Sequence, residues 1–127
     1  MSGMILYIED NEQNLYLVTF ILKSKGYEVV QARSGIEGIA LASNRRPDLI
    51  LLDIQLPEMD GYEIARRLRT NQGLQGIPIV AVTSYAMVGD REKALAAGCD
   101  GYIEKPINPE TFLDQIEAFF PSRPSGG

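Results

Sequence analysis

The stretch from Asp48 to Asp60, D-L-I-L-L-D-I-Q-L-P-E-M-D, constrains the fold more than any other part of the chain. Leu49, Ile50, Leu51 and Leu52 run without polar alternation, the pattern of a strand buried on both faces of a parallel sheet. Asp53 follows at the strand's C-terminal end, and Pro57 stops the strand. Open parallel sheets bind ligands beyond the carboxyl ends of their strands, so an acid there is a candidate for a site as well as for a loop. Asp60 is placed to cap the next helix, with Glu63 three residues on completing a capping box.

Four more strand-helix units surround this one. Met4 to Glu9 is a short apolar run ending in Glu9-Asp10, and a helix over Asn11 to Lys25 follows, with Leu15, Val18, Ile21 and Leu22 at core spacing. Tyr16, Leu17 and Phe20 fall off that stripe and make a modest case for a partner surface. Tyr27 to Ala32 reads as the second strand, and Ser34-Gly-Ile-Glu37 as a capping box opening a helix to about Asn44. After the organising strand, a helix over Tyr62 to Thr70 and a polar link from Asn71 to Gly76 lead to a fourth strand, Ile77 to Thr83. A helix within Met87 to Ala97, a strand Gly101 to Glu104 and the Lys105-Pro106 break come next. Asn108 is expected to cap the last helix, with Pro109 at its first position and Leu113, Ile116, Phe119 and Phe120 as its apolar stripe. The tail Pro121 to Gly127 is rich in Pro, Ser and Gly and reads as flexible, leaving residues 1–120 as one domain.

Alternating strands and helices imply an α/β fold, a doubly wound five-stranded parallel sheet of flavodoxin-like order 2-1-3-4-5. In that order the switch point lies between strands one and three, so Glu9-Asp10 and Asp53 meet there, with Thr83 and Lys105 on the same carboxyl edge. Three clustered carboxylates repel one another unless a cation sits among them. Mg2+ is the natural occupant, because it takes oxygen ligands and is usually held by one or two carboxylates plus phosphate. A lysine ammonium and a threonine hydroxyl can bind phosphoryl oxygens, so a carboxylate nucleophile in this company is a phosphoryl-accepting site.

Composition closes off other chemistry. The chain contains no histidine, which removes Ser-His-Asp catalysis, histidine-ligated zinc and a phosphohistidine of its own. A formal charge of -5 argues against nucleic-acid binding; the one basic cluster, Arg66, Arg67 and Arg69, reads as a solvated helical face. The single cysteine, Cys99, reads as a small core residue and suits a reducing compartment. No segment approaches the ~18 apolar residues of a membrane span, so a cytoplasmic location is expected.

Glu9-Asp10, the D-x-x-L-P-x-M-D-G run from Asp53, Thr83-Ser84 and Lys105-Pro106 are each weak signals alone, but in this order and at these separations they are highly specific. Over about residues 4 to 120 the chain resembles the receiver domain of two-component response regulators, most closely the single-domain chemotaxis and cell-cycle type. The resemblance implies that Asp53 is the phosphoacceptor, Asp10 a direct magnesium ligand, Glu9 a second acid acting through metal-bound water, and the Gln55 carbonyl a further ligand. Thr83 and Lys105 would bind the phosphoryl oxygens, and the Lys105-Pro106 bond is expected to be cis. Many receivers carry Asp where this chain has Glu9, a longer arm that changes only fine metal geometry.

The same resemblance extends to signalling. Thr83 and Tyr102 are the expected switch pair, Tyr102 being the aromatic that turns inward on activation. Gln55 and Tyr85 occupy the positions that tune self-dephosphorylation, and the Tyr85 ring is expected to obstruct water and prolong the phosphorylated state. The donor would be a histidine kinase or a histidine phosphotransfer protein, docked on the flank of the first helix with Leu17 at the apolar centre. The output would be a switch in binding to a downstream protein, with a possible homodimer through the helix 4-strand 5-helix 5 face, and no enzyme activity beyond the chain's own phosphotransfer and dephosphorylation. With seven residues after the last helix no output module is expected, and a single-domain regulator and the receiver of a larger hybrid kinase both fit. Three rivals are weaker. A phosphohydrolase resembling the haloacid dehalogenases needs an acid where Gln55 stands. A flavin binder needs an uncharged loop where Glu9-Asp10-Asn11 stands. A degenerate receiver that only binds partners would lack some member of the acid, Thr and Lys set.

Overall fold

The unbroken apolar runs form fully buried strands, as their lack of alternation demands. The computed structural model describes residues 3–84 and 88–120. Along the chain the elements are β1 (Met4–Ile8), α1 (Glu12–Ser24), β2 (Glu28–Ala32), α2 (Gly35–Arg45), β3 (Leu49–Asp53), α3 (Gly61–Thr70), β4 (Ile79–Thr83), α4 (Asp90–Ala96), β5 (Gly101–Glu104) and α5 (Phe112–Glu117). The strands pair in parallel in the order β2-β1-β3-β4-β5, as expected. Every residue of β3 and β4 is buried, whereas β2 at the edge is mostly half-buried. Each buried Leu or Ile side chain contributes roughly 1.5–3 kcal/mol, so Asp53 ends one of the most firmly held strands.

Alternation along the strands sorts the core into two layers. Leu6, Ile8, Ile50, Leu52, Ile79 and Ala81 pack with Ala42 of α2, Ile64, Ala65 and Leu68 of α3, and Ala94 of α4. Ile5, Tyr7, Leu49, Leu51, Val80, Val82 and Ile103 pack with the α1 stripe Leu15, Val18, Ile21 and Leu22, and with Phe112 and Ile116 of α5. Because side chains alternate with period two, Glu9, Asp53 and Lys105 continue the α1/α5 side, and Thr83 continues the other. Cys99 is buried in the first layer, as its size suggests.

The helix starts follow the cap chemistry in part. Asn11 and Ser34 accept from the backbone N–H groups of Asn14 and Glu37. Glu37 reaches back to the Arg33 N–H at 2.8 Å, one residue beyond the box partner expected. Asp60 caps α3, but Glu63 does not complete the box; it pairs with Arg66 and Arg67 one turn on. The last helix also departs from expectation. Asn108 accepts from Glu110 N–H and from Thr111 and Phe112, building a turn through Pro109, and α5 begins only at Phe112, which is fully buried. β4 begins at Ile79 rather than Ile77, since Pro78 has no N–H for the ladder. No described helix is long and apolar enough to cross a membrane, and the tail expected to be flexible lies outside the described residues.

Two contacts place the site. Gly61 opens α3 against the loop after β3, where a Cβ would stand 2.4 Å from the Ile54 Cα, so only glycine allows this approach. Arg69 is not part of a solvated face. Its guanidinium donates to the carbonyls of Gly98, Leu74 and Ile77 and to Asp100 Oδ2, fastening the edge of the sheet opposite Asp53.

Candidate functional site

Parallel pairing aligns Ile8 with Leu52, so the residues after them, Glu9 and Asp53, lie side by side at the switch point. Both are buried, Glu9 to 1% exposure and Asp53 to 2%, while Asp10 is exposed at the rim. Carboxylate oxygens of the three acids lie within 4.8 Å of one another. Lys105 enters from the end of β5 and places Nζ 2.9 Å from Glu9 Oε1 and 3.5 Å from Asp53 Oδ2. The nearer acid is therefore Glu9, which the sequence cast as an accessory.

Each carboxylate is held by further donors. Asp53 Oδ1 accepts the Gln55 N–H at 3.0 Å, and Glu9 Oε2 accepts the Asn11 N–H at 3.2 Å. Glu9 Oε1 also accepts the hydroxyl of Tyr7 at 2.9 Å. Burial, and then sharing a hydrogen bond with Glu9, push the Asp53 carboxyl up to about 6 without a metal. Burial alone would raise Glu9 too, but its bonds with Asp53 and Lys105 outweigh that and hold it below the usual carboxylate range. Burial and the adjacent Glu9 raise the Tyr7 phenol far above its ordinary value, so its oxygen acts as a donor.

Three oxygen-donor acids against one ammonium leave room for a hard divalent cation, and the set has no nitrogen or sulfur ligand that would favour zinc. The residues present therefore fit magnesium. Glu9, Asp10 and Asp53 are the acids the fold brings together, and Thr83 is buried at the end of the neighbouring strand, its carbonyl accepting the Lys105 N–H at 2.7 Å. The Gln55 side chain turns to the β4 loop, accepting the Ser84 N–H at 3.1 Å. The Lys105-Pro106 bond is cis, as the sequence likeness implied. Tyr102 is half-buried against the α2–α4 layer. Tyr85 lies outside the described residues.

Away from the acids, Leu17 is half-buried against the α1/α5 layer, and its neighbours Tyr16 and Phe20 stand 75% and 63% exposed with rings stacked 6.4 Å apart. The most accessible apolar surface of α1 is thus this aromatic pair rather than Leu17. Tyr7 is the site residue that sequence reading missed. In sequence it merges into the apolar run of β1, although its spacing of two from Glu9 puts both on one side of the strand.

Known proteins resemble this chain in sequence and in fold. The family profile of the response regulator receiver domain matches residues 5–117. The polar-differentiation response regulator DivK of Brucella ovis is 42% identical over 119 residues, covering 94% of this chain and 97% of DivK. Among solved structures, the chemotaxis protein CheY4 of Vibrio cholerae superposes with a TM-score of 0.90 at 29% identity, covering 94% of this chain and all of that one (100%). The receiver domain of a sensor histidine kinase from Pseudomonas aeruginosa, with a magnesium ion coordinated in its active-site cleft, superposes with a TM-score of 0.85 at 34% identity, covering 94% and 98%. With likeness on that scale running through nearly all of its length, the chain belongs to the receiver domains of two-component response regulators.

Proposed function

We propose that this receiver takes a phosphoryl group onto Asp53 from a phosphohistidine on a separate kinase or phosphotransfer protein, and that it works as a signalling acceptor rather than as an enzyme. The observation that carries this reading is the buried Asp53 carboxylate, 3.5 Å from the Lys105 ammonium and grouped with Glu9 and Asp10. An Asp53 oxygen attacks phosphorus; the new O–P bond forms as the P–N bond breaks, and the imidazole leaves with the electron pair. Lys105 and Thr83 receive the phosphoryl oxygens, Lys105 by giving up its contact with Glu9. Glu9, Asp10 and Asp53, with the Gln55 carbonyl, would hold Mg2+, which supplies charge neutralisation for the incoming phosphoryl group.

Partner docking belongs to the α1 flank around Leu17, with Tyr16 and Phe20 as its exposed aromatic rim. The output runs through Thr83 and Tyr102 to the α4–β5–α5 face and a downstream protein, in the cytoplasm. Incubation with acetyl phosphate, with and without Mg2+, tests the acceptor. Wild type should take up phosphate only with Mg2+, and Asp53→Asn should take up none. Labelling of Asp53→Asn at the wild-type level would place the acceptor elsewhere.

A further inference from the structure

Tyr7 heads the largest fully buried side chains among the described residues, its ring set in the α1/α5 layer. A phenylalanine would fill that space equally well, so packing does not account for the hydroxyl. That hydroxyl has one partner among the described residues, Glu9 Oε1 at 2.9 Å. The same oxygen takes the Lys105 ammonium at 2.9 Å, and the other carboxylate oxygen takes the Asn11 N–H at 3.2 Å. A glutamate has one more rotatable bond than an aspartate, and an unheld carboxylate at a strand end would sample several positions. Here three donors hold it, from β1, from the residue after β5 and from the loop after β1.

We propose that Tyr7 is a positioning residue for the cation site: its hydroxyl fixes the long arm of Glu9 so that the carboxylate stays grouped with Asp10 and Asp53. This role rests on the reading that these acids hold a divalent cation. It gives the chain a device for using Glu rather than Asp at this position. Partners that hydrogen-bond a metal-ligating carboxylate set its orientation, and losing one typically weakens metal binding by about 10–100-fold. Lys105 and Asn11 still hold Glu9 when the hydroxyl is gone, which puts the expected effect at the low end of that range.

The test is direct Mn2+ binding to the unphosphorylated protein, followed by electron paramagnetic resonance or calorimetry, in a double-mutant cycle. Tyr7→Phe keeps the ring, and urea unfolding checks that the fold stays cooperative. The Kd of Tyr7→Phe should rise about ten-fold. In a Glu9→Asp background the shortened arm withdraws from the hydroxyl, so adding Tyr7→Phe should change the Kd less than about two-fold. An unchanged Kd in Tyr7→Phe, or equal losses in both backgrounds, would overturn the positioning role while leaving the cation site intact. Absence of Mn2+ binding by wild type would overturn the cation reading and the Tyr7 role together.

Discussion

Tyr7 and Tyr102 stand on the first and last strands of one sheet, and their hydroxyls have opposite fates. Tyr7 faces the α1/α5 layer and donates to Glu9. Tyr102 faces the α2–α4 layer, where its hydroxyl is cut off from water and has no hydrogen-bond partner among the described residues. A buried polar group left without a partner costs about 1–3 kcal/mol. The neighbouring helices divide the same way. α1 has thirteen residues and a side-chain cap from Asn11, whereas α4 has seven, opens at Gly89 with φ +91, and has no side-chain cap. A helix that short has little stability of its own. The acid end of the sheet is therefore satisfied by hydrogen bonds, whereas the Tyr102 side buries a hydroxyl that no described residue pairs.

Three substitutions test how far this asymmetry goes. The largest effect belongs to Gly61→Ala, because the settled end has no slack: a methyl 2.4 Å from the Ile54 Cα must displace the loop that carries Gln55. A stability loss of about 3 kcal/mol in urea is expected; a loss within error would mean that this loop yields easily. Next is Tyr7→Phe, which strips a charge-assisted bond from a buried carboxylate and should cost about 2 kcal/mol. Tyr102→Phe should have the smallest effect and the opposite sign, stabilising by about 1 kcal/mol, since it removes a hydroxyl that pairs with nothing. If both tyrosine variants shift the urea midpoint in the same direction, the two ends do not differ in the way described.

Much of this was legible in the sequence, because parallel sheets write themselves plainly. The run Leu49 to Leu52 has no amphipathic alternative, and the alternation of elements then implies parallel pairing with helices on both faces. Asp53, Glu9 and Lys105 were found because each terminates such a run. What escaped depends on contacts between distant parts of the chain. The Asp60–Glu63 box looked complete, but two arginines on the same helix compete for Glu63. Asn108-Pro109 has the look of a helix start, yet the Asn108 carbonyl and side chain close a turn first, and burial of Phe112 sets where the helix begins. The Tyr7 hydroxyl could have been found by counting two residues to Glu9. The missing partner of Tyr102 could not, because it depends on how the far layer packs around that ring.

Arg69 has a mechanical consequence. Together with Asp100, which accepts the Ile79 N–H and answers with its own N–H to the Ile79 carbonyl, it pins the roots of β4 and β5 to the end of α3. From those roots the two strands run to Thr83 and Lys105, a span of roughly 15 Å at about 3.3 Å per residue. β4 is held along both sides by β3 and β5, whereas β5 lies at the edge of the sheet and has β4 as its one strand neighbour among the described residues, so the clamp matters most for β5. The Lys105 N–H bonded to the Thr83 carbonyl carries the β4–β5 ladder on to their tips. Lysine at position 69 would offer a single point charge in place of a fork gripping four acceptors, and would loosen the roots of both strands at the end of the sheet away from the acids.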